Sequence, residues 1–195
     1  MIAIVDFNHT IYDSNKYLAR FNEILGITKG EFLKSKGPKC YNLSEHKKNL
    51  LETTDLEQAA INSALEEVFK ELPSFIYEDA KVFLSNFKGK KILLTRGNFD
   101  NQSLFLEKTG VKPYFNEIKI VDTKEEKAEF VKNLCEETGE EILFINDYPE
   151  ETRQVIEACP NVKAYLVERP NGSFPSIEPM EGAVMIKALT EIPVA

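Results

Sequence analysis

The sequence predicts an α/β fold, a doubly wound parallel sheet with a helical segment inserted after the first strand. Three observations predict it. Ile2 to Val5 is a β-branched apolar run closed by Asp6, the pattern of a strand buried on both faces. After Gly89, short apolar runs alternate with helical patterns of about ten or more residues, as in βαβ units. Between these two regions, from Asn15 to about Phe87, the apolar spacing is helical.

Taken in order, Tyr17, Leu18, Phe21, Ile24 and Leu25 recur at helical spacing, and Gly26 supplies the stop. Gly30 to Leu43 contains Gly37 and Pro38 and reads as irregular. Asp55 is expected to cap a long helix carrying Leu56, Ala60, Ala64, Val68 and Leu72, ending before Pro73. Tyr77 to Phe87 reads as a helix with Ala80, Phe83, Leu84 and Phe87 on its apolar side. Strands are expected at Lys91–Thr95, Glu117–Val121, Glu141–Ile145 and Val162–Val167, with an edge strand at Ala183–Ile186. The helices between them are Asp100–Thr109, stopped by Gly110, then Thr123–Glu137, stopped by Gly139, and Pro149–Ala158, with Pro in its first turn.

The division that follows is a core of residues 1–14 and 88–195 and a helical insertion of residues 15–87. Loops after the carboxyl ends of parallel strands form the ligand crevice, so an insertion directly after the first strand would sit over it as a lid. Phe69, Phe75, Phe83 and Phe87 are expected to pack the lid, and His46 to lie on its surface.

Composition excludes several functions. Lys and Arg number 24 against 32 Asp and Glu, a net charge of −8, so no basic face is at hand for nucleic acid. No apolar run reaches the length of a membrane span, and Met1 to Phe7 lacks the basic start of an export signal. Cys40, Cys135 and Cys159 are an odd, scattered set without metal-ligand spacing. They read as reduced thiols, and the expected compartment is the cytoplasm.

Three polar clusters follow apolar strands: Asp6-Phe7-Asn8-His9-Thr10, Thr95-Arg96-Gly97-Asn98, and Asn146-Asp147-Tyr148-Pro149-Glu150-Glu151. In a parallel sheet all three reach one edge. Carboxylates buried side by side repel, a bound cation is the natural compensation, and hard oxygen ligands suit Mg²⁺.

This ordered set resembles the haloacid dehalogenase-like superfamily, over nearly the whole chain. Asp6 to Ser14, read as Asp-Phe-Asn-His-Thr-Ile-Tyr-Asp-Ser, is similar to its first motif, Asp-x-Asp-x-Thr. Thr95 matches the second, and Asn146-Asp147 with Glu151 resembles the fourth. The third is a Lys near the start of the helix before the fourth; Lys127 suits it by the apolar spacing that follows, with Lys124 the alternative. The early helical insertion resembles the family's C1 cap. The resemblance implies a phosphatase-like hydrolase acting on a small phosphorylated molecule. Asp6 would be the nucleophile, forming an aspartyl-phosphate, and Mg²⁺ would be held by Asp6, the Asn8 carbonyl and Asp147. Thr95 and Lys127 would hold the phosphoryl oxygens, with Thr10, Arg96 and Gly97 as further substrate or phosphate contacts.

One position departs from the pattern. Family phosphatases carry a second Asp two residues after the nucleophile, which protonates the leaving group and then activates water. Here it is Asn8, whose amide cannot exchange a proton at neutral pH. Acid–base assistance is typically worth about 10²–10⁴ in rate, so binding should survive while turnover falls. An engineered phosphatase, a natural variant with undemanding substrates or another acid, and a binding protein are all compatible with Asn8. His9 is adjacent, but in an extended segment its side chain would point away from Asn8. Asp13 reads as a helix cap, Glu151 as an orienting or helix-start carboxylate, and Arg169 as a crevice or carboxylate partner.

Overall fold

The computed structural model describes residues 1–36, 41–174 and 176–193. Its centre is a six-stranded sheet in the order β3-β2-β1-β4-β5-β6, with every neighbouring pair parallel. The strands are β1 (Ile2–Val5), β2 (Lys90–Arg96), β3 (Glu117–Val121), β4 (Ile142–Asn146), β5 (Lys163–Val167) and β6 (Ala183–Ile186). This is the expected doubly wound fold. β1 is buried at all four positions because β2 flanks it on one side and β4 on the other. The chain runs outward from β1 through β2 to β3, and then outward again from β4 to β6. The order therefore reverses between β1 and β4, whose outgoing connections lead to helices on opposite faces of the sheet, and a crevice opens at the carboxyl ends. Asp6 and Asp147 stand one residue beyond those two strands.

Alternation along β1 divides the interior. Ile2 and Ile4 pack with Ile92, Leu94, Phe144, Val131 and Val155 on one face. Ala3 and Val5 face the other way, into a cluster that continues into the inserted helices through Phe21, Leu50, Ile61, Val68 and Phe83. Those helices are α1 (Ser14–Leu25), α2 (Lys29–Lys36), α3 (Leu43–Thr53), α4 (Gln58–Glu71) and α5 (Glu78–Asn86). The helices after β2 are α6 (Phe99–Lys108), α7 (Lys124–Thr138) and α8 (Pro149–Ala158).

Local chemistry sets most boundaries. Asp13 caps α1 by accepting from the Lys16 N–H at 2.9 Å, and Gly26 ends it at φ 65°. Thr123 caps α7, and Gly139 ends it at φ 60°. The stretch from Gly30, expected to be irregular, is instead helical as far as Lys36. Thr28 and Glu31 form a capping box there, each accepting from the other's backbone N–H. Gly37 and Pro38 lie outside the described residues. Asp55 does not cap α4; Glu57 precedes that helix without a side-chain cap. Its inward stripe is Ile61, Ala64, Leu65 and Val68, which leaves Ala60 exposed.

Two other expectations are corrected. His46 is fully buried, its ring bonded to Ser35 at 3.1 Å and Tyr41 at 3.1 Å and packed edge-on to Phe32. It sits on α3, and only the packing of α2 against that helix encloses it. Cys135 and Cys159 are bonded as a disulfide, not free thiols. Packing of α7 against α8 brings them together across 24 residues of sequence. Cys40 lies outside the described residues. Among the described residues no helix is long and apolar enough to cross a membrane.

Candidate active site

Strand order brings the three polar clusters to one place. Asp6 leaves β1, Thr95 and Arg96 end β2, and Asn146 and Asp147 end β4, its other neighbour. Asp6, Arg96, Asn146 and Asp147, together with residues of α1, α6 and α7, line a cavity of about 440 Å³.

Lys127 occupies the centre. It is 1% exposed, yet its ammonium donates to Asp6 Oδ1 at 2.7 Å and to Glu151 Oε2 at 2.6 Å. Burial alone would lower its pKa; the Asp6 and Glu151 carboxylates outweigh that and hold it above the ordinary lysine value. Lys124, one turn earlier, faces outward and pairs with Glu150. Glu151 also accepts from Arg96 Nε at 2.6 Å and from the Asn146 amide at 3.2 Å. Burial opposes its charge, but Lys127 and Arg96 keep its pKa below the usual carboxylate value.

Asp6 and Asp147 are less well compensated. The Thr10 hydroxyl lies 3.4 Å from Asp6 Oδ2 and 3.4 Å from Asp147 Oδ1, so both carboxylates point at one place. Burial raises the Asp6 pKa even though Lys127 opposes it. Burial and the neighbouring Asp6 charge push Asp147 well above the carboxylate range. Among the described residues no Lys or Arg pairs with Asp147. Nor is there a cluster of three or more His, Cys, Asp or Glu side chains arranged for a metal. The converging oxygens come from two carboxylates, with backbone as the remaining source.

The loop after Asp6 is tightly turned. The Phe7 carbonyl accepts from the N–H groups of Ile11 and Tyr12, and the His9 N–H donates to the Tyr12 carbonyl. His9 adopts φ 57°, a left-handed conformation rare for a residue with a side chain. The extended geometry assumed for His9 is therefore absent. Its ring lies on the cavity wall with Asn8, and Nε2 is 2.9 Å from Ser14 Oγ.

Of the residues singled out by sequence, Asp6, Asn8, Arg96, Gly97, Lys127 and Asp147 line the cavity. Thr10 and Thr95 do not; both are fully buried behind the wall. Thr10 backs the carboxylates, and the Thr95 hydroxyl turns toward Gln102 Oε1 at 3.5 Å. Gly97 has φ 150°, and a Cβ there would lie 2.8 Å from Gln102 Nε2, so the β2–α6 turn needs glycine. Arg169 is 4% exposed and does not line the cavity. It donates to Asp79 at 2.9 Å and to the Thr10 carbonyl at 2.7 Å, and stacks on Tyr77, joining α5 to the Asp6 loop.

The sequence reading missed the aromatic wall. Tyr12, Tyr17, Tyr41 and Phe105, which contact one another through their rings, are among the residues that line the cavity, with Tyr12 and Tyr17 almost wholly buried. Their spacing carries a packing signal, and helical periodicity does not separate a residue that fills a core from one that borders a cavity.

No protein-family model and no curated protein matches the chain. Solved structures do. One, assigned as a haloacid dehalogenase-like hydrolase of Burkholderia xenovorans, is 14% identical with a TM-score of 0.71, over 97% of this chain and 93% of that one. YfnB of Bacillus subtilis, assigned as a HAD-hydrolase and bound to magnesium, is 15% identical, with a TM-score of 0.62 over 97% and 95%. The L-2-haloacid dehalogenase of Xanthobacter autotrophicus, with chloropropionic acid covalently bound, is 13% identical, with a TM-score of 0.60 over 97% and 95%. At these identities the likeness establishes a shared haloacid dehalogenase-like fold.

Proposed function

We propose that the chain is a magnesium-dependent phosphohydrolase that acts on a small phosphorylated molecule through an aspartyl-phosphate on Asp6, with turnover held low by Asn8. The observation that carries this reading is Lys127, a buried ammonium bridging Asp6 and Glu151 at the floor of the cavity. A buried cation beside a carboxylate nucleophile favours its ionised form against the effect of burial and receives the phosphoryl charge.

Magnesium fits the donors present. Three carboxylates line the cavity floor against two cations, so a phosphate dianion would meet net negative charge. The Asp6 and Asp147 carboxylates and the Asn8 carbonyl would hold the ion, which when bound neutralises that pair and polarises phosphoryl oxygen. Lys127, Arg96 and the backbone at Gly97 would orient the phosphoryl group. Thr95 would join them by giving up its contact with Gln102. An Asp6 oxygen would attack phosphorus as the ester P–O bond breaks, and the departing oxygen would then need a proton. Asn8, which lines the cavity, can donate a hydrogen bond but not the proton.

Asn8 also favours a second reading, a binding module that keeps the fold without turnover. Hydrolysis of an aryl phosphate with Mg²⁺ separates the two, run on the chain, Asn8→Asp and Asp6→Asn. The enzyme reading expects Asn8→Asp to gain about 10²–10⁴ in rate and Asp6→Asn to be inactive. Inertness of both the chain and Asn8→Asp, with Mg²⁺ bound, would leave the binding reading.

A further inference from the structure

We propose that the Cys135–Cys159 pair is a site of reversible thiol–disulfide exchange, through which a dithiol reductant weakens the candidate active site. The bond ties Cys135 of α7 to Cys159, the residue that caps the end of α8. The same two helices carry Lys127 and Glu151, the ion pair at the floor of the cavity. Both links span 24 residues of sequence, so the helices lie side by side and run the same way. Each cysteine follows the charged residue of its own helix by about two turns, ~12 Å along the axis.

The two ends of this helix pair are held differently. At the crevice end Lys127 meets Glu151 and Lys124 meets Glu150. At the far end, among the described residues, the disulfide is the polar or covalent link between the helices, and around it lie apolar side chains such as Val131, Leu134, Val155 and Ala158. Apolar burial is non-directional and lets one helix turn on another; a covalent bond does not. A buried ion pair offsets the cost of desolvating its charges only while its geometry is close, and Lys127 meets Glu151 at 2.6 Å.

The bond is dispensable for folding and open to attack. A chain of 195 residues with two buried apolar clusters needs no covalent staple. Cys159 is 5% exposed, but Cys135 is only half-buried. A thiolate of the reductant attacks the Cys135 sulfur, and Cys159 leaves as a thiolate that takes up a proton. The reductant's second thiol then attacks its own sulfur in the mixed disulfide and releases Cys135 as a thiol. The protein gains two electrons and two protons, and the dithiol becomes a disulfide. Freed of the bond, α8 turns against α7 and Lys127 is held less closely between Asp6 and Glu151. Phosphate then meets a weaker site, a consequence that rests on the phosphohydrolase reading above.

The Lys127 ammonium reports the change without any substrate. Its hydrogens exchange slowly with water while it is buried in ion pairs, and proton–nitrogen NMR of the full chain reads that rate before and after dithiothreitol, with circular dichroism to follow the fold. Reduction is expected to speed exchange about tenfold, within the range of coupling between contacting groups. Cys135→Ser should exchange fast without reductant and ignore dithiothreitol, which separates this bond from any other effect of the reagent. Thiol titration in denaturant should find one free thiol in the air-oxidised chain and three after reduction. Calorimetry with inorganic phosphate and Mg²⁺ should show affinity falling about tenfold on reduction. Three free thiols without reductant, equal ammonium exchange in the two folded states, or phosphate affinity unchanged by reduction would each overturn the switch and leave the phosphohydrolase reading standing. Global unfolding on reduction would make the bond a structural staple and overturn the switch equally. Faster ammonium exchange in a chain that binds no phosphate in either state would instead sustain the switch and overturn the phosphohydrolase reading.

Discussion

Replacing Lys127 with methionine keeps the length and apolar volume of the side chain and removes the charge between Asp6 and Glu151. Glu151 would retain Arg96 at 2.6 Å, while Asp6, 6% exposed, would lose its short ion pair. Breaking a buried pair from one side costs about 3–5 kcal/mol, a large part of the ~5–15 kcal/mol that holds a domain folded. For a chain of this length that is a fall in melting temperature of roughly 6–20 °C. The loss should depend on pH. Burial already holds the Asp6 carboxyl above its ordinary value, and removing Lys127 raises it further. A group raised on folding contributes stability below its unfolded pKa and loses it as pH rises through the folded value. The gap between variant and parent should therefore be widest near pH 8 and narrow toward pH 5. Urea denaturation followed by circular dichroism across that range measures it. Lys124→Met, which removes the surface pair with Glu150, is the control and should leave the melting temperature nearly unchanged. Lys127→Met with Glu151→Gln should cost less than the two single changes added, because they share one contact. A loss below about 1 kcal/mol, or one independent of pH, would refute a buried ion pair at this position.

Asp147→Asn should raise the metal-free melting temperature at pH 7.5, since burial and Asp6 hold that carboxyl well above its ordinary value and its ionisation costs stability as pH rises. The same change should abolish stabilisation by Mg²⁺, which in the parent is expected to reach about 2.7 kcal/mol at a hundred times its dissociation constant; differential scanning fluorimetry reads both. Cys159→Ser opens a loop of 24 residues' separation and should cost about 3 kcal/mol in urea, an effect mirrored by dithiothreitol on the parent alone. Gly97→Ala should cost about 1–3 kcal/mol, because φ 150° and the approach of Gln102 both oppose a Cβ, and thermal denaturation checks it.

Periodicity, caps and breakers carry information within a few residues of themselves, and what they govern was legible. The buried run Ile2–Val5, the Thr123 and Gly139 ends of α7, and the βα alternation after Gly89 follow from local physics. Where the reading slipped, a local signal was overlooked, as with the Thr28–Glu31 capping box, or a cap was assigned that the helix does not use, as with Asp55. The candidate site was legible as residue types after strands, since parallel strands deliver their carboxyl ends to one edge.

Other features depend on which elements pack together, and no short window contains them. Lys127 meets Asp6 across 121 residues because β1 lies between β2 and β4, which brings α7 beneath the crevice. The burial of His46, the Cys135–Cys159 bond and the reach of Arg169 to Thr10 each join segments whose sequences show only ordinary surface or core residues. Tyr12 and Tyr17 read as packing residues, and only closure of the inserted helices over the sheet leaves a cavity beside them. The sequence by itself determined the elements, their order and the chemistry available at one sheet edge. Tertiary structure alone decided which charges are buried against one another and what space remains for a ligand, because burial belongs to the packed whole rather than to any segment.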